Sequence, residues 1–245
     1  MIVPNPSPSS VQHLLDGLTA GEDKALFAPD DWAKRLGDDA AARPFVEQLR
    51  REWLPIDSVP DSVCQEMMGF GRSYLAGRHP SWPHHWAHTL RVTGMALALA
   101  PEAGIDSVHA FLLGIFHDLG KLEELLDDGN EPHEEIGARL IREQLWGTLS
   151  DQTITLLANV IAKRSRPGNP YTQLLHDADK LDKIGATGIA RRLSTDFGVR
   201  YPMLALRRIK TDLDAFPEMS FPTSRRFAEV KRAFTESFFT LLPKK

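Results

Sequence analysis

The feature that most constrains this chain is an apolar stretch that ends in two ligating side chains. Ala110-Phe-Leu-Leu-Gly-Ile-Phe116 runs directly into His117-Asp118-Leu119-Gly120-Lys121. A segment that is apolar on every side reads as a buried helix, and an imidazole and a carboxylate at its end need a partner to be tolerated there. A metal ion is such a partner, because neutral imidazole and ionised carboxylate both donate to it. Gly120 lets the backbone turn just past the pair, and Lys121 sets a cation beside it, where an anionic substrate could meet it. A His-Asp dipeptide means little alone, so the remaining donors must come from other parts of the chain.

Those other parts read as helices throughout. Short amphipathic pieces, around 11–18, 31–36 and 44–53, follow a Pro/Ser-rich start. Better helices are expected over 61–75 and over 84–100, the latter closed by Pro101. Asp106 is the expected N-cap of the helix leading to His117, Pro132 opens the next, and Ser150 or Asp151 caps another. A further helix is expected at 172–184, the stretches 185–193 and 201–213 follow it, and a final helix carries Phe227, Val230, Phe234, Phe238 and Leu241 at helical spacing. Strand alternation and internal repeats are absent from the reading, and the expected fold class is all-α.

Composition narrows the function classes. At 245 residues with a net charge of -4, the chain does not have the overall field of a protein built to grip nucleic acid. Its single cysteine, Cys64, excludes an internal disulfide and a cysteine-rich zinc site. No apolar run approaches the roughly 20 residues of a membrane span, and no signal peptide is visible, so a cytoplasmic protein is expected. Serine or cysteine hydrolase chemistry has no matching motif, and neither has a glycine-rich phosphate loop.

Helical faces select the other donors. His88 lies on a largely buried stripe of its helix, between Arg91, Val92 and Met95. In the stretch from Thr172, the residues Leu174, Asp177, Ala178 and Leu181 share one face, whereas His176, Lys180 and Lys183 share a polar one and Asp182 lies off the stripe. Asp177 is therefore expected to point inward and His176 outward. Together, His88, His117, Asp118 and Asp177 make an inward-facing N2O2 set. For any one of them the plain alternative is a hydrogen-bonded core polar residue; four at once favour a metal.

At these residues the chain resembles the HD superfamily of metal-dependent phosphohydrolases, whose ligand order is His, then His-Asp, then Asp. The similarity covers roughly 61–193 and includes HHWAHTLRV at 84–92, GIFHDLGK at 114–121 and HDADKLDKIGATGIAR at 176–191. It implies an HD-domain helical bundle over 59–245, preceded by a tail and helical extension over 1–58. By the same resemblance the ligands are His88, His117, Asp118 and Asp177, holding one divalent ion (Mn, Fe, Co, Ni, Mg or Zn) that activates water for attack on phosphorus. Asp118 would orient that water or take its proton. Lys121 is the first candidate to neutralise the phosphoryl charge, with His84, His133 and Arg164 as further substrate contacts. His85 and His79 read as surface or loop.

Members with two metals place two more histidines before the last aspartate. His133 matches the first, but Arg164 occupies the region of the second, and a guanidinium cannot ligate, which counts against a second ion. The substrates implied are phosphate esters and anhydrides, nucleotides above all, with no nucleic acid or membrane partner and a homo-oligomer left open. Two other classes remain in view: a di-iron oxygenase on the same scaffold, which needs about six protein ligands, and a non-catalytic nucleotide-binding module, whose relatives tend to lose ligands that this chain keeps.

Overall fold

The computed structural model describes residues 8–19, 29–37, 40–54, 56, 58–76, 82–126 and 130–242. Among the described residues every regular element is a helix, in the order α1 (Pro8–Thr19), α2 (Pro29–Leu36), α3 (Ala42–Glu52), α4 (Ser62–Ala76), α5 (Trp82–Ala103), α6 (Ser107–Phe116) and α7 (Lys121–Leu126). Then come α8 (His133–Leu145), α9 (Asp151–Ile161), α10 (Pro170–Leu181), α11 (Gly185–Leu193), α12 (Asp196–Arg200), α13 (Pro202–Asp214) and α14 (Pro222–Leu241). The fold is all-α, as the periodicity predicts. No helix among the described residues is long and apolar enough to cross a membrane.

The chain forms two compact units. One comprises Met1–Trp53, Lys180–Met219 and Arg225–Lys245, and the other Leu54–Asp179 with Ser220–Ser224. This division differs from the expected 1–58 extension followed by an unbroken 59–245 domain. The segments after Asp179 share a unit with the N-terminal helices because each supplies apolar faces the other covers: Leu14, Phe45 and Leu49 lie in one core with Ile189, Ile209 and Phe238.

Within that first unit a charged residue closes the core instead of an apolar one. Glu52, at the end of α3, accepts hydrogen bonds from the backbone N–H groups of Ala186 (2.8 Å) and Thr187 (2.9 Å) and from the Thr187 hydroxyl (2.8 Å), so it caps the otherwise unpaired N-terminus of α11. Lys231 donates to the same carboxylate at 2.7 Å and to the Thr187 hydroxyl at 2.7 Å, and both charged side chains are 2% exposed. Gly185 makes the approach feasible. Its φ is +80°, and a Cβ there would sit 2.4 Å from the Glu52 Oε1.

The second unit is built on α5 and α6. Gly114 lets them touch: a Cβ at that position would meet the Thr93 Cα at 2.5 Å. Caps fall where the sequence puts them, with the Asp106 carboxylate accepting from the Val108 N–H at 2.8 Å and the Ser150 hydroxyl from the Thr153 N–H at 3.2 Å. Three boundaries differ from expectation. α5 runs through Pro101 and ends at Gly104 (φ +65°), where the Ile105 N–H donates to the Ala100 carbonyl at 2.9 Å, a glycine-terminated Schellman closure. α10 stops at Leu181 rather than 184. The short α7 follows the His-Asp pair at once, where only a turn was expected.

Candidate metal centre

Three segments of the second unit converge. α5 carries His88 in its buried middle, the turn after α6 carries His117 and Asp118, and the last turns of α10 carry Asp179. The Nε2 atoms of His88 and His117 lie 3.1 Å apart. The Asp118 Oδ2 is 3.3 Å from the His88 Nε2 and 3.5 Å from the His117 Nε2, and the Asp179 Oδ1 is 3.6 Å from the His88 Nε2. His117 is oriented from behind: its Nδ1 meets the Gly114 carbonyl at 2.7 Å, and since a carbonyl only accepts, that nitrogen is the donor and, in the neutral ring, Nε2 carries the lone pair.

Electrostatics at the cluster follow from burial and charge. Burial alone would push the Asp118 carboxyl up, but the two imidazoles beside it outweigh that and hold it well below the usual carboxylate range. For His117, burial disfavours the charged ring, yet the Asp118 carboxylate, with Asp179 and the Gly114 carbonyl, raises it above the ordinary imidazole value. The cluster thus favours a positive charge at its centre. Two imidazole nitrogens at 3.1 Å with carboxylates alongside repel one another unless a cation lies between them, and a nitrogen and oxygen donor set of this kind suits a divalent metal.

The structure corrects the fourth donor. Asp177 is buried, as the face argument predicts, but it does not join the cluster. Its Oδ2 accepts from the Ser220 N–H at 2.7 Å, the Phe221 N–H at 3.3 Å and the Ser224 hydroxyl at 2.6 Å. Burial raises this carboxyl, the His176, Ser224 and backbone hydrogen bonds lower it, and the hydrogen bonds prevail. Asp177 ties residues 220–224 to α10, and Asp179 is the carboxylate that faces His88 and His117. Asp182, expected off the buried stripe, is buried and paired with Arg191 at 3.2 Å in the other unit.

The remaining expected residues divide. Lys121 pairs directly with the Asp118 Oδ2. The Arg164 guanidinium instead holds both oxygens of Glu135 at 2.8 Å, because the acidic first turn of α8 lies beside it. His133 meets Glu124 at 2.9 Å and Glu134 at 3.2 Å through its Nδ1, forming a second small group of donors, in which Lys163 also pairs with Glu134. The His84 side chain, expected at the phosphate, lies outside the described residues, as does His79.

Sequence reasoning missed two residues at the centre. Asp179 repeats the aspartate of the Asp-Ala-Asp string one helical face round, and His85 precedes His88 by three residues, so both signals were present. His85 lines a small crevice with Leu75, Asp118, Lys121, Leu122 and Leu125.

Comparison with known proteins agrees with this geometry. A family model described as the HD domain matches residues 86–184. A crystal structure of an HD-superfamily hydrolase from Bacillus thuringiensis is similar at 22% identity, covering 72% of this chain and 93% of that one with a TM-score of 0.55. Bacillus subtilis YpgQ in complex with ADP is similar at 20% identity over 72% of this chain and 94% of that one, with a TM-score of 0.53. A predicted HD superfamily hydrolase from an uncultured Thermotogales bacterium is similar at 22% identity over 72% of this chain and 88% of that one, with a TM-score of 0.50. Comparison with the curated proteins finds no match. The His, His-Asp and Asp donors all fall within the span, residues 86–184, that the HD-domain model matches.

Proposed function

We propose that the protein is a metal-dependent phosphohydrolase that cleaves a phosphate ester or anhydride, most simply of a nucleotide, with His88, His117, Asp118 and Asp179 holding one divalent ion. The observation that carries this reading is the convergence of two imidazoles and two carboxylates beside a lysine that shares one carboxylate oxygen. When bound, a divalent ion supplies Lewis acidity that brings the pKa of water toward neutrality.

The chain's own residues supply the rest. Asp118, ionised well below neutral pH, orients the attacking water and takes its proton. The water oxygen bonds to phosphorus as the bond to the leaving oxygen breaks, and the leaving oxygen is protonated from solvent. Lys121 lies where it can turn from Asp118 to a phosphoryl oxygen, offsetting the negative charge that gathers there. The Gly114 carbonyl fixes the His117 ring, so no reorganisation is needed to present its Nε2. The ADP complex of the similar Bacillus subtilis YpgQ supports a nucleotide as the substrate.

The test is phosphate or pyrophosphate release from a panel of nucleoside mono-, di- and triphosphates and simple phosphomonoesters, using metal-loaded wild type and Asp118→Ala side by side. Release by wild type alone is expected. No release by either protein, with metal bound to wild type, overturns the reading.

A further inference from the structure

We infer that Asp177 is a positioning residue for the metal centre: through the strap Ser220–Ser224 it fixes the rotation of α10, and so the aim of Asp179 at His88. The inference rests on the metal-dependent reading of that centre and deepens it.

Asp177 and Asp179 stand on nearly opposite sides of one helix, because two residues on a helix are about 200° apart. The Asp179 Oδ1 lies 3.6 Å from the His88 Nε2, whereas the Asp177 side chain is fully buried on the far side. A side-chain oxygen sits roughly 5–6 Å from the helix axis, so a turn of α10 by about 10° carries the Asp179 carboxylate about 1 Å. Metal–ligand distances tolerate only about 0.2 Å, so the rotation of α10 has to be held closely. Leu174 and Ala178 bury the helix, but apolar contacts have no direction and resist so small a turn weakly.

The directional restraint comes from Asp177. Its Oδ2 accepts from the Ser224 hydroxyl at 2.6 Å, the Ser220 N–H at 2.7 Å and the Phe221 N–H at 3.3 Å, and its Oδ1 accepts from the Ser220 hydroxyl at 3.3 Å. Contacts on both oxygens fix the plane of the carboxylate as well as its place. The strap that supplies them is itself pinned. Pro222 opens α14 with a locked φ, and the Thr223 N–H donates to the Glu102 carboxylate at 3.0 Å. Glu102 belongs to α5, the helix that carries His88. One short segment is thereby tied by two carboxylates, each from a helix whose metal donor must meet the other's.

Cobalt(II) binding tests this without turnover. The Kd by chelator competition, the visible absorption of the bound ion and the denaturant unfolding of the metal-free chain are compared for wild type, Ser224→Ala and Glu102→Ala. Ser224→Ala should still take up one ion per chain, but about tenfold more weakly, the lower end of what loss of a supporting contact costs a metal site, and with an altered absorption band. Glu102 is exposed, so Glu102→Ala leaves folding intact, and it should weaken binding about threefold. Glu102→Gln, which keeps an acceptor for the Thr223 N–H, should restore the wild-type Kd. A contact that served stability alone would lower the unfolding midpoint and leave the affinity of the folded molecules unchanged. Wild-type Kd and absorption in the folded variants overturn the positioning role. Failure of wild type to bind cobalt counts instead against the metal reading beneath it.

Discussion

The imidazoles of His88 and His117 point Nε2 to Nε2 at 3.1 Å, although their residues are 29 positions apart, one on α5 and the other at the C-cap of α6. Gly114 makes this feasible twice over. Lacking a Cβ, it lets α6 close on Thr93 of α5, and its carbonyl turns the His117 ring toward His88. Such a pair is costly unless a cation bridges it, and Asp118 and Asp179 add the negative charge that makes a divalent one favourable.

The two aspartates of the Asp-Ala-Asp string should separate cleanly on mutation. Asp179→Ala removes a donor from the centre, so metal content by elemental analysis should fall to near zero and the unfolding temperature should match that of metal-free wild type. Asp177→Ala leaves the Ser220 N–H without its acceptor and takes one of two acceptors from the Phe221 N–H and the Ser224 hydroxyl, which should cost about 2–3 kcal/mol while metal per chain is preserved. Metal loss in Asp177→Ala with retention in Asp179→Ala would reverse the assignment.

That pair also shows how far the sequence could be read. The helical period identified the histidine helix, the His-Asp pair and a buried aspartate on α10, because burial leaves an apolar stripe around each. It picked out Asp177, fully buried among such residues, and did not address Asp179, whose side chain is 24% exposed. A ligand lines a crevice and sits off the apolar stripe, so the stripe marks the wrong carboxylate. Two residues on a helix are about 200° apart, which is why only one of the two can face His88. The partners that occupy Asp177 lie 43 to 47 positions away and leave no local signal. Glu52 and Lys231 are harder still, being 179 positions apart and both charged in a core.

Lys231 should be hard to replace alone. Lys231→Met leaves the Glu52 carboxylate buried without its cation, at an expected cost of about 3–5 kcal/mol in denaturant unfolding. Lys231→Met combined with Glu52→Gln should recover part of that loss, because the buried charge is gone. A double variant no more stable than Lys231→Met would mean that the capping of α11, rather than the charge pairing, carries the energy.

Cys64 should be inert in the folded protein. Burial, with the Asp61 side chain next, pushes its thiol up to about 12 from 9.0. Iodoacetamide at pH 8 should label it only at the rate of unfolding, against rapid labelling in denaturant. Because the folded value is the raised one, its contribution to stability is complete below pH 9.0 and declines as pH rises from there toward about 12. Rapid native-state labelling would contradict the burial of this side chain.

Chelation should expose the dependence of the fold on the centre. A metal that binds the folded state alone and is present at 100 times its Kd stabilises by about 2.7 kcal/mol, so its removal should lower the unfolding temperature by roughly 5–10 °C. Re-addition of the divalent ion should restore it. An unchanged transition after complete removal would show that the four donors are held together without an ion.

The most direct test of the account combines metal content and turnover in one preparation of wild type, Asp118→Ala and Asp179→Ala, with product identification on the nucleotide and phosphomonoester panel. The account predicts one divalent ion per wild-type chain, phosphate or pyrophosphate released by wild type only, and folded variants with neither metal nor activity. A variant that loses its metal yet releases product at the wild-type rate would contradict it.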